Sequence, residues 1–396
     1  MSDSPPPLPQ KNSTLRSSLT IKIILIGVLT AGLLILTIPL FVVINDRENR
    51  RDEVVDEISS KWGRDQTILG PILSVPFYQT VNIRSNAGRT STSRKIEYIH
   101  FLPDELEINA SVEPEMKYRG IFETVVYKSI IRISGSFDAL DWGIARVDEN
   151  EILKDKASLC IGIPDVRGIR EATSISFLNQ TLETQPGLPT QELLSSGISS
   201  KVNLNEQNST MEFEIILHLD GSSSLAFSPL GKTTSVEMLS PWSSPSFDGA
   251  FLPLEKEIKP EGFSASWKVL HLNRSIPHAW TGSAPSSNNN INWQNGQIFS
   301  GPSNILGDFA FGVKFYMPND VYQKTTRMAK YAILFLVFGF ISFFFTEILQ
   351  KAQVHPIQYL LVGFAILVFY LLLLSLSEHL GFDRAYLIAT ACVVIL

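Results

Sequence analysis

Hydrophobic positions along the chain follow three patterns. From Ile23 to Ile44 the chain is apolar without a charge. About 20 helical residues cross a hydrocarbon core, so this run of 22 predicts a membrane helix. It exceeds the apolar stretch of a cleaved signal and ends in Phe41-Val42-Val43-Ile44, which lacks a small-residue cleavage site, so an uncleaved anchor is expected. The charged segment 46–60 then places Val54, Val55 and Ile58 on one helical face and is expected to prolong that helix, with Gly63 and Gly70-Pro71 as stop signals.

Beyond Gly70 the period changes to two. Ile72–Ile83, Lys95–Phe101, Thr124–Ile133, Met211–Leu219, Phe263–Leu272 and Phe309–Tyr316 read as strands, divided by turn signals such as Ser85-Asn86-Ala87-Gly88, Pro103-Asp104 and Asp220-Gly221. Such a series predicts an all-β domain, a sandwich or an open barrel. Residues 184–200 and 282–304 are rich in Ser, Asn, Gly and Pro and read as loops. Further apolar runs cover about Tyr331–Ile348 and Tyr359–Ser377, and another begins near Tyr386. The expected organisation is a membrane protein: a short N-terminus (1–22), a transmembrane helix (23–44), a β-rich domain outside the bilayer (45–328), transmembrane helices at 329–349 and 359–377, and the start of a fourth at 386–396, where the chain is expected to be cut inside a helix.

Charge changes this picture little. Residues 1–44 carry +2 and residues 329–396 balance, so a total of −6 leaves −8 on the middle. No basic stripe marks a nucleic-acid binder. Lys11, Arg16 and Lys22 before the first helix are matched by Arg47, Arg50 and Arg51 after it, so charge bias leaves the orientation open. Cys160 and Cys392 lie in different environments, which predicts neither a disulfide framework nor a cysteine zinc site.

Catalytic motifs are absent: there is no G-x-S-x-G, H-E-x-x-H, phosphate-binding loop or dinucleotide fingerprint. His271 and His278, the closest histidine pair of the middle region, lack further ligands nearby in the chain. Asp104-Glu105, Asp138 with Asp141, and Ser222-Ser223-Ser224 read as turn residues. No cofactor is expected. Ionisable residues in the C-terminal apolar blocks are the binding candidates, because charge in a bilayer is costly and is retained for a reason. They are Glu347, Lys351 four residues on, His355 before Pro356, and the Glu378-His379 pair. The competing reading places all of them at the membrane interface, reaching toward water.

Several segments, in order, are similar to the CreD family of bacterial inner-membrane proteins, described as cell-envelope integrity proteins. They are Ile58–Gly63 with Gly70–Pro76, Tyr118–Glu123, Ser240–Pro253, Gly262–Trp267, Tyr322–Arg327 leading into Ala329–Ala332, and His355–Gly363. The resemblance implies a cytoplasmic N-terminus, one anchor, a large periplasmic domain, several C-terminal helices, and further helices beyond the fourth. It also implies a link to a two-component regulatory system and to envelope phenotypes such as colicin tolerance and altered β-lactam response. It carries over no catalytic residue. The expected function is therefore non-enzymatic support of the envelope, with the lipid bilayer and an envelope protein or cell-wall component as partners and no nucleic acid. Two alternatives stand beside it: a membrane-bound enzyme acting on envelope material, and a transport or channel component. For the latter the third helix offers only Ser375 and Ser377 as interior polar groups.

Overall fold

A computed structural model describes residues 14–84, 90–190, 195–204, 210–283, 292–294, 297–299, 305–315, 317, 324, 327–328, 330–350 and 355–395. The chain divides into two compact units, one of residues 1–53 with 319–396 and one of Val54–Pro318.

Helix α1 runs unbroken over Thr14–Trp62 with Pro39 inside it. Gly63 follows at φ 92, a left-handed conformation that favours glycine at a helix end. A Cβ there would also stand 2.7 Å from the Asp220 carbonyl oxygen. Gly70-Pro71 is not a stop signal. It lies inside the first strand, where the register shifts between Leu69 and Ile72.

The strands are β1 (Gln66–Arg84), β2 (Thr90–Phe101), β3 (Glu105–Arg119), β4 (Phe122–Phe137), β5 (Ala157–Gly162), β6 (Ser174–Phe177) and β7 (Gln180–Leu182). They continue with β8 (Thr184–Pro186), β9 (Gly197–Val202), β10 (Met211–Ser222), β11 (Ser224–Phe227), β12 (Thr233–Ser240), β13 (Pro245–Gly249) and β14 (Glu255–Lys259). The last are β15 (Gly262–Leu270), β16 (Ala279–Thr281), β17 (Asn292–Gln294), β18 (Gln297–Phe299) and β19 (Phe311–Phe315). One sheet has the order β13-β19-β11-β1-β5-β9-β8, with β2 beside β1 and β16 beside β2. The other has the order β14-β15-β12-β3-β4-β10-β6-β7, and β17 with β18 forms a separate hairpin.

Alternation builds the second sheet. Leu106, Ile108, Ala110 and Val112 of β3 are buried while Glu105, Glu107 and Ser111 are exposed. Phe213, Ile215, Leu217 and Leu219 of β10 point to the same interior as Phe263, Trp267 and Val269 of β15. In the first sheet, residues 71–77 of β1 are buried without alternation, as expected of a strand covered on both faces. Side chains from both sheets join one hydrophobic core. Each sheet also holds one parallel pairing, β1 with β11 and β3 with β12.

Three differences from the sequence reading follow. The region 184–200 is not all loop, because β8 and most of β9 fall within or across it and pair with each other. Part of 282–304 forms the β17–β18 hairpin. The strand expected to reach Leu272 ends at Leu270, and His271–Asn273 make a 3-10 turn. The turn at 85–88 lies outside the described residues.

The other unit contains α3 (Ala332–Gln350), α4 (Pro356–Leu380) and α5 (Phe382–Ile395), numbered after a single turn α2 (Ile305–Asp308) in the β unit. Among the described residues, Ala332–Gln350 and Ile357–Leu380 are long and apolar enough to cross a membrane. Leu33 of α1, Leu336 and Phe340 of α3, and Tyr359 and Leu367 of α4 share one cluster. A second joins Ile44, Ala332, Tyr370 and Leu374. Leu33 and Ile44 ascend α1 while Leu336 and Ala332 ascend against the direction of α3, so those two helices run antiparallel.

Candidate functional site

The β unit carries a cleft of about 1000 Å³ between the middle of β1 and a run of 3-10 turns. Tyr78, Gln79 and Thr80 form one wall, Ile144–Asp148 with Glu151 another, and Trp280 and Thr281 of β16 complete it. The turn Trp142–Ala145 is capped by Asp141, whose carboxylate accepts the Gly143 N–H at 3.0 Å. Arg146 closes that turn in the left-handed region, φ 52, so a charged residue leaves the turn at the cleft wall. Ala145 and Ile152 belong to the core and hold the turns against the sheet. Arg94 bridges the rim, donating to Glu151 at 3.0 Å and standing 5.7 Å from the Tyr78 ring centre.

Behind the cleft lies a buried polar row. Cys160 Sγ stands 3.6 Å from Ser74 Oγ, Ser74 Oγ lies 2.8 Å from His100 Nδ1, and the His100 and Trp280 rings are 5.4 Å apart. Burial lowers His100 to about 4, opposed by the Gly282 backbone, and burial raises Cys160 to about 12. A thiol so raised and fully enclosed is a poor nucleophile, so this Cys-Ser-His row is a packing feature rather than a catalytic one. Trp280 Nε1 is buried without a hydrogen-bond partner among the described residues.

A second cleft, about 570 Å³, lies near the end of α1 and includes Trp62, Lys128, Arg170, Glu171, His218 and Asp220. Its charges are largely committed to one another. Arg170 Nε donates to Asp220 at 2.7 Å and sits 5.5 Å from the Trp62 ring, and Lys117 covers that ring at 4.8 Å. Glu57 pairs with Arg119 and Asp56 with Arg64. Asp165 takes the Arg167 guanidinium, which holds its carboxyl below the usual range. This network ties the last turns of α1 to the sheets.

Among the turn residues, Asp104 pairs with Lys232 and accepts the Asp138 N–H at 2.7 Å; burial raises its pKa, but these partners and His278 outweigh it and the net shift is down. His278 is lowered to about 4, by burial first, and lies 3.6 Å from Asp104. Among the described residues no group of three or more His, Cys, Asp or Glu is placed to hold a metal ion.

The sequence candidates in the helices are not brought together. Glu347 is buried in α3 and accepts the Tyr359 hydroxyl at 3.4 Å. His355 caps α4, its Nδ1 accepting the Ile357 N–H at 3.3 Å. Glu378 faces Arg47 of α1 at 3.8 Å. His379 lies in the last turn of α4, and Lys351 lies outside the described residues. None of the first cleft's lining residues was singled out from sequence. Tyr78 to Thr80 look like ordinary strand residues, and nothing in Ile144–Asp148 announces a wall.

The family model described as "Inner membrane protein CreD" matches residues 18–396. The chain belongs to the CreD family. A curated relative, "Inner membrane protein CreD" of Escherichia coli (strain K12), is 30% identical over 369 residues, which covers 91% of this chain and 77% of that protein. Both descriptions place family members in the inner membrane and name no reaction. Among solved structures, a mutant of the M1 zinc metallopeptidase from Deinococcus radiodurans, bound to a Tyr-Ser-Ala substrate, aligns at 8% identity. It covers 45% of this chain and 40% of that one with a TM-score of 0.20, and it carries no argument about fold or chemistry.

Proposed function

We propose that this CreD family member is a multi-pass inner-membrane protein that supports envelope integrity through a periplasmic, non-catalytic binding domain. Helices α1, α3 and α4 cross the bilayer and α5 enters it. The β unit faces the periplasm and binds an envelope protein or cell-wall component. The observation that carries this reading is the cleft beside β1: an open, preformed concavity walled by side chains of both charge signs, with the nearby thiol and imidazole sealed behind it. One contact supports the arrangement of the helices. Arg47 follows the apolar part of α1, and Glu378 ends that of α4, so their ion pair sets these two helix ends at one interface.

Alkaline phosphatase fused after residue 200 and a fluorescent protein fused after residue 352 test the topology. Phosphatase activity at the first site with fluorescence at the second is expected. The reverse pattern would put the β unit in the cytoplasm and end the envelope reading.

A further inference from the structure

We propose that the β1 cleft receives an extended peptide, which adds to the sheet as a short strand along Tyr78–Thr80. The inference rests on the binding role proposed above and specifies its ligand.

The first support is an unfinished sheet edge. On one side β1 pairs with β2 from Leu73↔Phe101 to Arg84↔Thr90. On the other side β5 pairs only as far as Ser74, and a single bridge, Phe77↔Ile152, continues it. Backbone groups of successive strand residues point to alternate edges. The Pro76 carbonyl accepts the Leu153 N–H at 2.9 Å, on the side away from β2. Tyr78 and Thr80 share its parity, so the Tyr78 carbonyl and both backbone groups of Thr80 turn away from β2 as well. Among the described residues no strand pairs them. They face the cleft, where a backbone of matching donors and acceptors completes the ladder.

The lining supplies the second support. Arg146 and Asp148 on the facing wall are exposed and opposite in sign. A peptide carries both signs at its termini and side chains, whereas a uniformly charged polymer would meet repulsion from one of the two. The floor contributes an edge of Trp280. Tyr78 and Trp280 add apolar surface for an alternating side chain.

Amide hydrogen exchange on the purified full chain in detergent tests this, with a millimolar pool of randomised pentapeptides as the probe. The Thr80 amide should exchange at least tenfold more slowly with the pool. A pool methylated on alternate backbone nitrogens should give less than a third of that protection. In Thr80→Pro the strand loses an N–H that β2 does not use, so the fold is kept and binding of a fluorescent pool should fall at least tenfold. Unchanged exchange along β1, equal protection by the methylated pool, or full binding by Thr80→Pro at native stability would each overturn the proposal. Arg146→Ala, outside the strand, should weaken binding severalfold with exchange elsewhere unaltered; tighter binding by this variant would count against the charge argument. The measurement does not depend on which side of the membrane the β unit faces. A reversed topology therefore defeats the functional reading and leaves this one, and a failed exchange experiment does the opposite.

Discussion

The two units solve opposite solvent problems. In the β unit the large aliphatic and aromatic residues turn inward from both sheets, and the outward positions of β3 are Glu105, Glu107, Ser111 and Glu113. In the helical unit the outward positions are themselves apolar: Phe338 is 61% exposed, Leu349 79% and Leu387 70%. What is inside differs as well. The helical clusters are small, and the polar contact Tyr359–Glu347 lies in their interior. An apolar exterior is unstable in water and ordinary in hydrocarbon, which fits the two candidate membrane helices of an inner-membrane protein family. The difference also predicts that equivalent substitutions have unequal costs.

The largest expected effect uses Tyr127 and Phe340, both fully enclosed aromatic side chains. Tyr127→Ala removes a ring from the β core together with the hydroxyl that donates to the Ser224 carbonyl at 2.8 Å. A loss of about 3–5 kcal/mol is expected, read as a shift in the denaturant midpoint followed by tryptophan fluorescence. Phe340→Ala in α3 leaves a comparable void, yet lipid tails are as apolar as the cluster it leaves, so only packing is lost. Its cost in a detergent-mixture unfolding titration should be less than half of the first. Equal costs would break the comparison.

Arg274 sharpens it from the β side. The guanidinium is buried and donates to the carbonyls of Ile276 at 3.1 Å and Gly231 at 3.1 Å, and to that of Leu230. Burial lowers its pKa to about 10, so it stays charged at neutral pH. Arg274→Met keeps the bulk and orphans these acceptors. A destabilisation of about 2–4 kcal/mol is expected by thermal unfolding, against less than about 1 kcal/mol for the exposed Arg94→Ala, whose ion pair with Glu151 lies at the rim.

How much of this was legible in the chain follows from where the information sits. The strands with a clean period of two, such as β3, β10 and β15, and the long apolar runs behind α3 and α4 declare themselves locally. β9 does not. Its Ser199 and Ser200 look like turn residues, and only pairing with both β5 and β8 makes them strand. The cleft is less legible still. It exists because β5 stops short along β1 and the turns after Trp142 fold beside the uncovered edge. Neither event leaves a mark near Tyr78–Thr80. Arg274 is similar, since a lone arginine between Asn273 and Ser275 gives no sign that three carbonyls surround it.

A smaller effect, confined to the β unit, concerns acid. His100 titrates near 4 in the folded protein and near 6.5 when unfolded, because burial disfavours its charged form. Between those values the unfolded chain binds the extra proton, so stability falls as pH drops from about 6.5 toward 4, by up to about 1.4 kcal/mol per pH unit for this group. His278, lowered to about 4 in the same way but more exposed, adds a weaker slope of the same sign. Asp104 and Asp165 act in the same direction at lower pH, since both are held below the ordinary carboxylate range and lose their stabilising charge on protonation. His100→Gln, which can still meet the Ser74 hydroxyl, should cost little at pH 8 and flatten the profile between pH 4 and 6.5, measured as denaturant midpoint against pH. An unflattened slope would mean that other groups carry the acid sensitivity. The helical unit holds no counterpart to this buried imidazole among its described residues: His355 and His379 both stand at the ends of α4. Acid unfolding followed separately in the two units should therefore begin in the β unit, and a helical unit that yields first would break the comparison.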